Sequence, residues 1–203
     1  MPETVCLALT GASGIAYGFR LLDCLLDSGC RVRLVYSKNA LLVARQEMRV
    51  NWPADAEGAS EFFARRFPGH GGALHIYGNE DWSAPIASGS SVSDAMVVCP
   101  CTMGTLAAIA QGLAENLIER AADVTLKERR KLILVPRETP LSMIHLENML
   151  RASKAGAVIL PPCPGFYHHP ESASDLVDFV VARVLDQLGV PHSLIERWGE
   201  SHA

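Results

Sequence analysis

The sequence predicts an α/β fold, a three-layer αβα arrangement around a doubly wound, mostly parallel sheet. Short apolar runs alternate with segments of helical periodicity, and several of those runs end in Gly, Ser, Thr or Pro just before a helix begins. The runs are continuously apolar rather than alternating, as expected of strands covered on both faces. With 203 residues, 49% of them hydrophobic, the chain can build one substantial core. No low-complexity stretch divides it, so residues 1–189 read as a single domain and 190–203 as a tail packing on the site or on a neighbouring subunit.

The first apolar run, residues 5–9, stops at Thr10-Gly11, and Leu21, Leu22 and Leu25 beyond it recur at helical spacing. Between strand and helix lies Gly11-Ala-Ser-Gly14. Its glycines allow tight backbone geometry and the amides of a helix start attract anions, so a phosphate-bearing ligand is expected there. A dinucleotide fingerprint does not fit. The G-x-G-x-x-G spacing is missing, and no Asp or Glu between Ser28 and Gln46 is placed to hold ribose hydroxyls. The second run, 32–36, ends in Ser37-Lys38, which suits a phosphate; a mononucleotide such as FMN is therefore favoured over NAD.

Residues 39–47 read as a helix capped by Ser37 or Asn39, 61–67 as a short helix, 69–72 as a loop and 74–77 as a strand. A long polar connection, 78–94, carries Trp82 and Pro85-Ile86. Strand 95–99 leads through a small-residue turn, 100–105, into helix 106–111. Helix 116–128, strand 132–135 ending in Pro136-Arg-Glu138, helix 142–154 and strand 157–160 follow. Last comes helix 172–188, with Leu176, Phe179, Val180, Val184 and Leu188 on one face and Gly189 as its stop. Ligands of such sheets sit beyond the carboxyl ends of the strands. Ser13, Ser37, Thr102, Thr105, Arg137, Glu138 and Tyr167 all follow predicted strands and so converge on that edge.

A net charge of −4 and a pI near 6.0 disfavour a general nucleic-acid or polyanion binder, so any basic site must be local. The N-terminus lacks a basic n-region, and no apolar run approaches the ~20 residues of a membrane span, so neither a signal peptide nor a membrane anchor is expected and a cytoplasmic location follows. The six cysteines form no C-x-x-C pair and read as reduced and mostly buried. Cys99-Pro-Cys101 and His168-His169 lack a second ligand pair, so no metal is expected.

Seven motifs in order, Gly11-Ala-Ser-Gly14, Ala87-Ser-Gly-Ser90, Pro100-Cys101 with Thr105, Asn116-Leu-Ile-Glu-Arg-Ala-Ala-Asp123, Leu126-Lys-Glu-Arg-Arg130, Leu134-Val-Pro-Arg-Glu138 and Pro164-Gly-Phe-Tyr167, resemble the UbiX flavin prenyltransferases, in register from Val5 to about Gly189. The resemblance implies a Rossmann-like flavoprotein that joins the dimethylallyl group of dimethylallyl monophosphate to reduced FMN, without a metal. The product, prenylated FMN, would serve a UbiD-type decarboxylase, and the enzyme would work as a homo-oligomer, a dodecamer with sites at subunit interfaces. It implies that Gly11, Ala12, Ser13, Ser37, Thr102, Met103, Gly104, Thr105 and Arg137 hold FMN. Ser88, Ser90, Arg120, Lys127, Tyr167 and Arg183 would surround the dimethylallyl phosphate, and Ser13, Lys127, Glu138 and Tyr167 would take part in the chemistry. Where relatives commonly read Ser-Met-Lys-Thr and Pro-Ala-Phe-Tyr, this chain has Thr102-Met-Gly-Thr105 and Pro164-Gly-Phe-Tyr167.

The residue types suit that reaction. Ionising an allylic phosphate creates a carbocation and extra charge on the leaving group; Arg and Lys suit the phosphate, and π faces with excluded water suit the cation. Trp82 and Trp198 are candidates for such faces, Glu138 for passing a proton to the departing phosphate and Ser13 for orienting that exchange. Glu47 either reaches the flavin, caps a helix or stays exposed to solvent. His145, beside Ile144, Leu146 and Met149, is expected to pack, and Cys163, with no basic neighbour, to be inert. Two rival readings remain. An FMN-dependent decarboxylase of cysteine-like substrates needs a His soon after the early strands, whereas the first His here is His70; a flavin carrier would bind FMN without turnover.

Overall fold

Parallel strands stand in the order β3-β2-β1-β4-β5-β6 in the computed structural model, which describes residues 1–70, 72–196 and 199. They are β1 (Thr4–Leu9), β2 (Arg31–Tyr36), β3 (Leu74–Tyr77), β4 (Ala95–Cys101), β5 (Lys131–Pro136) and β6 (Val158–Ile159). Seven helices accompany them among the described residues: α1 (Ile15–Asp27), α2 (Lys38–Met48), α3 (Ala56–Arg66), α4 (Met103–Gln111), α5 (Leu117–Lys127), α6 (Met143–Lys154) and α7 (Ala173–Leu188).

Every residue of β1 is buried, because the strand lies between two cores. Successive side chains of a strand point to opposite faces. Val5, Leu7 and Leu9 therefore join α1 and α7 on one side, while Cys6 and Ala8 join α4 and α5 on the other. Fully burying such aliphatic side chains stabilises the fold by ~1.5–3 kcal/mol each, which explains why the continuously apolar runs marked the strands well. Burial also holds the thiols of Cys6, Cys99 and Cys101 in their neutral form, with Cys6 pushed up to about 12.

The structure departs from expectation where local capping or packing outweighed the sequence pattern. α3 begins at Ala56, ahead of the expected 61, because the Asp55 carboxylate accepts from Gly58 N–H at 2.8 Å. Phe62 and Phe63 on this helix pack on buried Trp52, whose ring lies 6.0 Å from Phe62, 5.4 Å from Phe63 and 5.5 Å from Phe19. β4 continues to Cys101, and α4 begins at Met103 rather than 106, since the Thr102 hydroxyl accepts from Thr105 N–H at 3.1 Å. The expectation for His145 is also corrected. Ile144 and Leu146 are exposed and His145 closes a capping box, its Nδ1 accepting from Ser142 N–H while Ser142 Oγ accepts from His145 N–H. Among the described residues, no helix is long and apolar enough to cross a membrane.

Candidate functional site

Strand order reverses at β1: β2 and β3 lie to one side, and β4, β5 and β6 to the other. The connections after β1 and β4 consequently diverge, and a crevice opens beyond the carboxyl ends of the two strands. Thr10 ties its two lips together. Its hydroxyl donates to the Pro100 carbonyl at 2.8 Å and accepts from Thr102 N–H at 2.9 Å. Thr102 in turn donates to Thr105 Oγ1 at 2.9 Å while capping α4, so two hydroxyls sit at the start of that helix. Met103 is buried beneath them. At Gly104 an added Cβ would meet only Thr102 Oγ1, 4.0 Å away, so this turn is open above the helix start.

The opposite lip is the start of α2. Ser37 N–H donates to the Leu9 carbonyl at 3.0 Å and the Ser37 hydroxyl accepts from Ala40 N–H at 3.2 Å, which places this cap beside the end of β1. Gly11 lies so close to this helix that a side chain would overlap Asn39 Cβ, which accounts for glycine there. Ala12 is buried and Ser13 half-buried on the connection to α1.

The expected anion site at the start of α1 holds an anion of the chain's own. The Glu47 carboxylate accepts from Gly14 N–H at 2.9 Å and from Ile15 N–H at 3.1 Å, and Gly14 adopts φ +99° to point its amide there. An incoming phosphate therefore finds hydroxyls and helix starts at Ser37 and at Thr102–Thr105, and Glu47 acts as a cap. These groups fit FMN: two helix N-termini and three hydroxyls surround a crevice at the switch point of the sheet.

Arg137 and Glu138, both exposed, form the rim beyond β5. Arg137 N–H donates to the Cys101 carbonyl at 3.4 Å, which draws the segment against the end of β4, and Glu138 Oε1 accepts from Thr139 N–H at 3.1 Å. Tyr167 is 51% exposed and packs edge-on to Phe179, with ring centroids 5.7 Å apart. A Cβ at Gly165 would come within 2.8 Å of Tyr167 Cε1, so glycine leaves room for the ring.

The remaining candidates lie on α5 and the segment packed on it, on α7, and on the connection after β3. Arg120 Nε donates to the Ala87 carbonyl at 3.0 Å and its Nη1 pairs with Asp123 at 2.8 Å. Lys127 pairs with Glu128 at the last turn of α5, four positions before β5 begins, and both heads lie against Gly89. With Ser88 and Ser90, whose hydroxyls are 3.0 Å apart, these residues form a second polar group that follows α5 toward the opposite end of the sheet. Arg183 is engaged by Asp186 at 2.6 Å in the middle of α7. Trp82 is 50% exposed on the connection after β3. Trp198 lies outside the described residues. No group of three or more His, Cys, Asp or Glu among the described residues could hold a metal.

Comparison with known proteins agrees with this geometry. The Flavoprotein family pattern matches residues 2–185. The chain is 56% identical over 201 residues to the flavin prenyltransferase UbiX of Pseudomonas aeruginosa, covering 99% of this chain and 96% of that one. A UbiX structure, AnUbiX (PadA1) in complex with FMN and dimethylallyl pyrophosphate, superimposes with a TM-score of 0.86 at 40% identity, over 98% of each chain. A dodecameric FMN-dependent UbiX-like decarboxylase from Escherichia coli O157:H7 superimposes with a TM-score of 0.84 at 43% identity, over 96% of this chain and 98% of that one.

Proposed function

We propose, for a chain that belongs to the UbiX family of flavin prenyltransferases, that its strand-end crevice holds FMN and that it transfers the dimethylallyl group of dimethylallyl monophosphate to the reduced flavin. The observation that carries this reading is the Thr10-tied crevice, onto which the starts of α2 and α4 open and over which Arg137 and Glu138 form a rim. Ser37, Thr102 and Thr105 would hold the flavin phosphate, Gly11, Ala12, Ser13, Met103 and Gly104 would line the flavin, and Arg137 would contact it. Bound and reduced, FMN supplies the nucleophile, and its prenylated form is the product handed to a UbiD-type decarboxylase.

The chain's own groups answer the charges that develop. Arg120, Lys127 and Arg183 carry positive charge for the leaving phosphate, and Ser88, Ser90 and Tyr167 carry hydroxyls for it. Glu138 would pass a proton to the departing phosphate, with Ser13 orienting the exchange by hydrogen bonding. Trp82 and Trp198 would shield the cation. Phosphate release measures this directly: anaerobic protein with reduced FMN and dimethylallyl monophosphate is expected to liberate one phosphate per flavin consumed. Release that does not depend on reduced FMN would point to plain hydrolysis and overturn the reading.

Two groups of site residues leading to opposite ends of one sheet support a site completed by another copy of the chain. So does the exposed apolar face of α6, where Met143 is 70%, Ile144 68%, Leu150 56% and Leu146 48% accessible immediately after the Glu138 rim. We expect light scattering to find a large homo-oligomer, a dodecamer; a monomer at micromolar concentration would remove the shared-site reading. Tyr167→Phe is expected to raise KM for dimethylallyl monophosphate about tenfold through loss of one hydrogen bond to a charged group. An unchanged KM would leave Tyr167 a packing role only.

A further inference from the structure

His168 is the one member of its aromatic cluster with no evident reason to be polar. Its ring stacks on Phe179, with centroids 5.1 Å apart and planes 17° from parallel, and meets Tyr167 edge-on at 5.9 Å. A phenyl ring would make both contacts equally well. Yet both imidazole nitrogens are buried, and neither has a hydrogen-bond partner among the described residues. The neighbouring carboxylate, Asp175, makes no hydrogen bond to the ring among the described residues. Its Oδ2 accepts from Glu171 N–H at 2.8 Å and Ser172 N–H at 2.9 Å, and these bonds hold its pKa below the usual carboxylate value. Leaving a buried donor and acceptor unmet destabilises a fold, so the nitrogens have a use in another state of the protein or none.

We propose that His168 is a further substrate-binding residue, whose buried N–H donates to the phosphate of the dimethylallyl substrate when that group lies beside Tyr167. The inference rests on the prenyl-transfer reading above. A neutral imidazole offers one N–H donor, and a phosphate oxygen is a strong acceptor for it, the more so in a site from which water is excluded. The stack on Phe179 fixes the ring plane, so binding has to uncover a nitrogen while the ring itself stays in place. No proton is transferred; the bond forms on substrate binding and breaks when phosphate leaves.

His168→Phe separates this from a packing role, because the two readings give opposite patterns. A residue kept for the liganded state is expected to show a Tm at or above the parent's, since unmet polar atoms are removed, together with a KM for dimethylallyl monophosphate raised about tenfold. His168→Gln, which restores an N–H, is expected to recover part of that loss, and it carries the test if the phenylalanine variant does not fold. A parent-like KM in His168→Phe would overturn the proposal. So would Tm and activity falling together without recovery in His168→Gln. The parent protein run alongside tests the transferase reading itself: if it binds FMN and transfers nothing, that reading fails whatever the variants do.

Discussion

Replacing Glu138 by glutamine is expected to slow prenyl transfer roughly a hundredfold or more, the usual scale for removing a group that moves a proton in the transition state, while FMN binding stays at the parent level. Glutamine preserves the local structure. Its amide oxygen can still accept from Thr139 N–H, and the bond from Arg137 N–H to the Cys101 carbonyl does not involve the side chain at all. On the proposed role, what is lost is the ability to hold a proton next to the leaving phosphate. Single-turnover rates with reduced FMN and dimethylallyl monophosphate check this, with flavin binding followed separately by absorbance. Equal rates in variant and parent would remove the proton role and leave Glu138 an electrostatic rim residue.

Gly18→Ala is expected to cost about 2 kcal/mol or more of stability, although alanine is the better helix former by about 1 kcal/mol. Gly18 faces β4 from the first turn of α1, where a methyl would overlap the Cys99 carbonyl oxygen and lie 2.5 Å from Leu9 Cδ2. A carbonyl in a central strand cannot swing aside, so α1 must lift away from the sheet. The same helix start carries the Ser13 turn and the amides bound by Glu47, so FMN affinity should fall with stability. A loss of this size corresponds to a Tm lower by about 5 °C in a domain of this length. A Tm raised in the variant would show that helix propensity dominates and that the close approach relaxes freely.

The order of strands and helices was legible because β1, β4 and β5 are buried on both faces and their runs are apolar almost throughout. The strand-end residues were legible for the same reason, since a known sheet direction places Ser13, Ser37, Thr102, Arg137 and Glu138 at one edge. Capping by Asp55 and Thr102 moved the starts of α3 and α4, and a single hydroxyl or carboxylate within three residues is a weaker signal than a hydrophobic run. Glu47 could not be assigned from sequence alone, because its partners Gly14 and Ile15 lie 33 and 32 positions away. Lys127 and Arg120 are a different case. Their motifs were readable, but whether they share an edge with Ser13 depends on how α5 runs back along the sheet, and on other copies of the chain. His168 gave no signal either. It was visible as half of a His doublet, while its stacking and its buried nitrogens exist only in three dimensions.

The mass of the flavin after one turnover tests the central claim most directly. Protein, reduced FMN and dimethylallyl monophosphate are mixed without oxygen, and the flavin is released and weighed. A flavin heavier by one dimethylallyl-derived unit, formed by the parent and nearly absent with Glu138→Gln, is the predicted result. Unmodified FMN alone, from a protein shown to bind both ligands, would contradict the account.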